Sequence, residues 1–163
     1  MRRLYITSSG KWFWVWDDEN KQQRGYQDID ILALRAGETR IISVTTNLDD
    51  KAGFNRNGEF DPKRLKRLKS YFKRSRKYLS SVDQYQWMIN DARDIKYIVA
   101  YHTFSERKEK DIVAMLKKSG IETISAPTML KKLIEFSQED NIKIQDQVMR
   151  FLTIVNWHGS IEI

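Results

Sequence analysis

Apolar and polar positions alternate early in the chain and then give way to helical spacing. The run Lys11–Trp16 reads Lys-Trp-Phe-Trp-Val-Trp. Period two predicts a strand with Trp12, Trp14 and Trp16 on one face and Phe13 and Val15 on the other. Asp17 to Gly25 is polar and predicts a loop. Asp28–Leu34 then predicts a second strand, Ala36-Gly37-Glu38 a turn, and Arg40–Thr46 a third strand, close enough to form a hairpin. Asn47–Glu59 holds Gly53, Gly58 and several Asn and Asp, so it predicts a loop whose length suits a functional segment.

Helical spacing begins at Asp61-Pro62, an N-cap residue followed by proline at the first helical position. From there to about Leu79, residues Leu65, Leu68, Phe72 and Leu79 form one apolar stripe. A further helical piece is expected around Gln84–Ala92. After it come a strand at Ile95–Tyr101, a helix at Glu106–Ser119 stopped by Gly120, and a strand at Ile121–Ser125. Pro127 and Thr128 lead into a helix from Met129 to about Ser137. A last amphipathic helix places Ile144, Val148, Phe151, Leu152 and Val155 on one side, with Trp157 extending it. Strand–helix–strand–helix order predicts an α/β fold with a mixed central sheet, flanked by helices and containing at least one parallel pair. With 163 residues and neither an internal repeat nor a low-complexity linker, a single domain over 1–163 is expected.

Charge changes this picture more than composition does. An apolar fraction of 40% and a charged fraction of 31% are those of an ordinary folded protein. The formal net charge is +7, and it is concentrated. Lys63, Arg64, Lys66, Arg67, Lys69, Lys73, Arg74, Arg76 and Lys77 form a run with no acidic residue among them. Removing these nine from the 29 Lys and Arg leaves 20, against 22 Asp and Glu. The excess is a patch on one helix, the footprint expected of a surface that meets nucleic acid. A merely solvated helix would mix signs for i,i+4 pairing. An anionic membrane fits less well, because the apolar stripe of that helix is used by the core. No cysteine is present, so thiolate zinc and disulfides are excluded. No apolar run spans a membrane and no secretory signal is evident, which leads to an expectation of a cytoplasmic protein.

The stretch Gly25-Tyr26-Gln27-Asp28-Ile29-Asp30-Ile31-Leu32-Ala33-Leu34, followed after a turn by Ile41-Ile42-Ser43-Val44-Thr45-Thr46, resembles the PD-(D/E)xK nucleases. These are the restriction-endonuclease-like superfamily. Their pattern is an Asp at a strand start, a hairpin, and an apolar strand carrying Glu-x-Lys; here those last positions fall on Ser43 and Thr45. The resemblance implies a restriction-endonuclease-like fold over roughly Asp28 to Ser137. It also implies Asp30, with Asp28 beside it, as catalytic residues, and Asp30 as ligand of a Mg²⁺ ion that would stabilise charge on a phosphate. Asp28, Asp49, Asp50 and Glu59 are candidates for a second acid, and Lys51 or Lys63 for the base. A relative that holds its substrate without cutting it is the other outcome.

The remaining features have bland readings beside the functional ones. The tryptophan face could stack unpaired bases, but core or dimer packing is the commoner fate and is preferred. His102, where a strand ends, is read as structural, and His158 is uninformative. No phosphate-binding glycine loop, hydrolase elbow or zinc signature appears. Two function classes follow. One is a nucleic-acid-binding protein, with DNA the favoured partner and a homodimer suited to two-stranded or branched substrates. The other is a protein–protein interaction module that uses the Trp-rich strand or the C-terminal helix.

Overall fold

The computed structural model describes residues 6–17, 21–55, 59–90, 93–104 and 109–137. Strand β1 (Ile6–Asp17) pairs antiparallel with β2 (Gln22–Arg35), which pairs antiparallel with β3 (Glu38–Asn47). β3 runs parallel to β4 (Asp94–Thr103), and β5 (Ile121–Ser125) completes a five-stranded mixed sheet of order β1-β2-β3-β4-β5. The hairpin and the parallel pair agree with the sequence pattern. The chain divides into two compact units, Met1–Thr123 and Ile124–Ile163.

β2 starts earlier than its composition suggests. Gln22 and Gln23 are poor strand formers, yet β1 offers them partners in the pairs Asp17↔Gln22 and Trp16↔Gln23, across a register shift after Val15. At its other end β2 is clamped on both sides, but its pairing with β3 stops at Ile31↔Ile42. Beyond that point β1 is the only strand paired with β2 among the described residues, and the sheet forks. The burial phase changes at the fork, since Ile29 and Leu32, three residues apart, are both fully buried. Opposite it lies Gly10 (φ 62), between the pairs Ser9↔Ile31 and Lys11↔Ile29. Glycine takes this left-handed conformation without a Cβ clash.

The segment expected to be an open loop contains helix α1 (Leu48–Ala52), capped by the Asn47 side chain on Asp50 N and ended by Gly53 (φ 111). A Cβ on Gly53 would stand 2.7 Å from the Asp61 carbonyl oxygen, so the chain passes too closely there for any side chain. Helix α2 (Pro62–Ser81) opens as predicted, with the Asp61 side chain accepting from Lys63 N and proline in its first turn. Its stripe buries Leu68, Phe72, Ser75 and Leu79, with Leu65 partly buried.

The helical piece expected over Gln84–Ala92 shortens to one turn, α3 (Asp83–Gln86), after which Ile89 is buried. Helix α4 (Glu109–Lys118) buries Ile112 and Leu116 and is followed by Gly120. In the second unit, α5 (Ala126–Ser137) begins three residues before Met129, because the Ser125 hydroxyl accepts from Thr128 N and so caps it. The helix predicted around Ile144–Val155 lies outside the described residues, as do His158 and Trp157.

The core of the first unit joins Ile29, Leu32, Ile41 and Val99 of the sheet to Leu48 of α1, Leu68, Phe72 and Leu79 of α2, and Ile112 and Leu116 of α4. Among the described residues no helix is long and apolar enough to cross a membrane.

Candidate nucleic-acid interface

Helix α2 is built from three stripes with the same spacing, each rotated by one residue from the last. Leu65, Leu68, Phe72, Ser75 and Leu79 fall at i, i+3, i+7, i+10 and i+14 and face the core. One residue back, at the same intervals, stand Arg64, Arg67, Tyr71, Arg74 and Tyr78. Two residues back stand Lys63, Lys66, Ser70, Lys73 and Lys77. Of the nine basic residues, all except Arg64 are exposed. Seven of the nine cations therefore fall in two rows about 21 Å long, at about 1.5 Å rise per residue, with Lys69 and Arg76 outside them.

The rows differ in how firmly they are held. The arginine row touches the rest of the protein. Arg64 forms an ion pair with Asp50 of α1, and Arg74 Nε donates to Gln27 Oε1 at 2.7 Å. Gln27 in turn donates to the Tyr71 carbonyl and to Ser75 Oγ, both at 3.1 Å, and so ties β2 to the helix. Partial burial draws the Arg74 pKa down from its ordinary value, but guanidinium remains a cation at neutral pH. Tyr78 stacks on Phe13 of β1, with ring centroids 4.5 Å apart and planes within 8°. Two clefts open along this row. One, of about 360 Å³, is bordered by Asp50, Lys51, Arg64, Arg67 and Tyr71; the other, of about 140 Å³, is bordered among others by Trp14, Arg74, Lys77 and Tyr78.

Asp30 and Ser43 do come together, at the fork where β2 leaves β3. Ser43 Oγ donates to Asp30 Oδ2 at 3.0 Å, and Val44 N donates to the same oxygen at 2.7 Å. The carboxylate takes the place of the ladder partner that β3 loses when β2 departs. Tyr71 fills the same wedge. Its hydroxyl accepts from Asp30 N at 3.3 Å, and Lys51 Nζ lies 5.6 Å from its ring centroid. Burial pushes the Tyr71 phenol up to about 12. The Asp30 and Asp28 carboxylates add to the rise, while hydrogen bonds with the Asp30 backbone and Ser43 offset part of it. The phenol is thus neutral over the physiological range.

Of the other predicted site residues, Asp28 acts on the Tyr71 phenol, and Asp50 and Lys51 border the same cleft as Tyr71; the rest stand apart. Asp28 is half-buried two residues from Asp30 and pairs across the ribbon with Trp12. Asp50 is held by Arg64, Glu59 accepts from Asn55 Nδ2, and Lys63 is exposed at the start of α2. Asp49 lies in the first turn of α1. Thr45 donates to the Asn47 carbonyl, and His102 is exposed at the end of β4. Magnesium prefers near-octahedral oxygen ligation, with carboxylates free to bind it. Here one oxygen of Asp30 already holds two donors, and the Ser43 hydroxyl is spent on it. Among the described residues no three His, Cys, Asp or Glu side chains gather to hold a metal ion. The donor set at Asp30 does not fit magnesium.

No protein-family model, curated protein or solved structure matches the chain.

Two features escaped the sequence reading. Tyr71 and Gln27 join the helix to the fork, and the signal for Tyr71 was its place one residue before Phe72, on the border of the apolar stripe. Core or dimer packing is the reading preferred above for the tryptophans. Trp12 and Trp14 are 66% and 54% exposed while Phe13 is buried, so the alternation holds for these three residues, core packing within the chain is removed, and dimer packing is left.

Proposed function

We propose that this protein binds nucleic acid through the cationic face of α2 and holds it without cutting it. The observation that carries the reading is the density of α2: eight exposed cations on one 20-residue helix that has no acidic residue between its first and last. Each Lys or Arg that meets a phosphate releases counterions and adds affinity with little sequence preference. The arginine row supports the same reading, because planar guanidiniums beside clefts suit phosphate recognition better than ammonium groups do.

On this reading the scaffold is restriction-endonuclease-like. The hairpin, the fork and the parallel β3–β4 pair support that assignment. Asp30 is then the remnant of a metal-binding position turned to a structural task. Without the Glu-x-Lys pair, the fork holds Ser43 and Tyr71 in place of a second acid and a base.

The test is a binding titration of labelled single-stranded, duplex and four-way-junction DNA, and of RNA, with and without Mg²⁺. Binding should weaken steeply with salt, with a slope of log affinity against log salt of about 0.7–0.9 for every phosphate engaged. Intact, shifted substrate is expected at every Mg²⁺ concentration. Cleavage that disappears in Asp30→Ala would overturn the non-cutting part, and absence of any shift at low salt would overturn the whole reading.

A further inference from the structure

The outward face of the β1–β2 ribbon is the largest feature that the cationic helix leaves unexplained. Trp12, Trp14 and Tyr26 are 66%, 54% and 60% exposed on this face, although rings of this size are usually sequestered. Trp14 and Tyr26 sit opposite each other in the register, with ring centroids 3.6 Å apart and planes inclined by 35°. They form one braced aromatic platform. Trp12 stands two residues away on the same strand, so the Trp12 and Trp14 backbones are separated by about 6.8 Å. That gap is about twice the 3.4 Å rise of a nucleotide strand, the room that one flat base needs between two rings. The platform also adjoins charge, since Trp14 borders the same cleft as Arg74 and Lys77.

We infer that the strand held by this protein is single, with unpaired bases stacked on the Trp12–Trp14–Tyr26 face while its phosphates pass Arg74 and Lys77. This deepens the proposed function and rests on it. Duplex bases are stacked on each other and offer no free face to a protein ring, whereas every unpaired base offers two. Asp28, across from Trp12, repels phosphates at that end and favours a path in which the backbone keeps to the arginine row. A protein partner could also cover exposed tryptophans, but it would not need cations in the same cleft. Charge complementarity favours the nucleic-acid strand.

The experiment measures affinities by anisotropy for a fluorescein-labelled twelve-residue oligothymidylate, the matching oligouridylate and a twelve-pair DNA duplex. It uses the full chain, Trp12→Ala/Trp14→Ala, Trp12→Phe/Trp14→Phe, and Trp87→Ala as an exposed tryptophan outside the ribbon. The single strands should bind more tightly than the duplex and should quench tryptophan fluorescence. The alanine pair should reduce the single-strand preference by roughly ten-fold or more. The phenylalanine pair, which keeps flat rings, should retain most of the preference and so separates stacking from a folding defect. Trp87→Ala should retain all of it. Equal affinity for single strand and duplex, or an unchanged preference in the alanine pair, overturns this inference and leaves the nucleic-acid reading standing. No binding to any of the three probes at low salt overturns both.

Discussion

The lysine row and the arginine row of α2 are one residue apart in the sequence, yet they belong to different kinds of surface. In the lysine row, Lys63, Lys66 and Lys73 are all exposed. The arginine row is interleaved with Tyr71 and Tyr78 and is fastened to Asp50, Gln27 and Phe13. A rotation of about 100° on the helix therefore separates Lys63, Lys66 and Lys73 from a row tied to the rest of the fold through Arg64, Arg74 and Tyr78. Net charge counts both rows alike; stability should not.

The sharpest way to break the comparison is to truncate one member of each row. Tyr71→Ala removes a half-buried ring that meets Phe72 edge-on and accepts from Asp30 N, and it should cost about 3 kcal/mol in urea unfolding. Ser70→Ala, in the lysine row, should stay within about 0.5 kcal/mol. The contrast inverts for binding. Lys63→Glu/Lys66→Glu/Lys73→Glu should leave the melting temperature nearly unchanged and lower nucleic-acid affinity roughly a hundred-fold at moderate salt, measured by the same anisotropy titration.

Asp30→Ala should have a smaller effect on stability. It leaves Ser43 Oγ and Val44 N without their acceptor and should cost about 2 kcal/mol in denaturant unfolding. A loss near zero would return Asp30 to a role in chemistry.

The smallest expected effect is a pH dependence. The folded-state pKa of Tyr71 is raised from 10.0 to about 12, so the fold favours its protonated form. That contribution is complete below pH 10 and is lost as the pH rises from about 10 to about 12. Tyr71→Phe should flatten the alkaline decline by roughly 1 kcal/mol, a figure reduced to allow for the ring's partial exposure.

Local rules made much of this fold legible. Asp61-Pro62, the stripe from Leu65 to Leu79 and the apolar hairpin strands each declare themselves through capping or period, and each is where the sequence places it. Strand β2 begins at Gln22 because a partner strand overrides weak propensity. Helix α1 is only five residues long and cannot show a period, although its Asn47 cap and Gly53 terminus were both visible. The fork was hidden for a different reason. Asp30 and Ser43 were identified as paired motif positions, but which bond joins them depends on where β2 leaves β3, a tertiary event without a local signature. Ser75 was missed as a core position because it is polar, although its spacing from Leu68 and Phe72 placed it on the buried stripe. The outward tryptophans show the limit of composition, since alternation gave their common face but not which face meets water.

The left-handed backbone at Gly10 has a consequence for how copies of this chain meet. β1 is the first strand of the sheet and twelve residues long, and an exposed edge of that length can recruit another strand and seed aggregates. Its pairing with β2 keeps one register from Ile6 to Val15 and shifts after it, while Gly10 (φ 62) bends the backbone midway. A left-handed glycine with a lysine beside it interrupts the flat, regular template that strand addition needs. Both features work against edge-to-edge addition at the strand that carries the tryptophans.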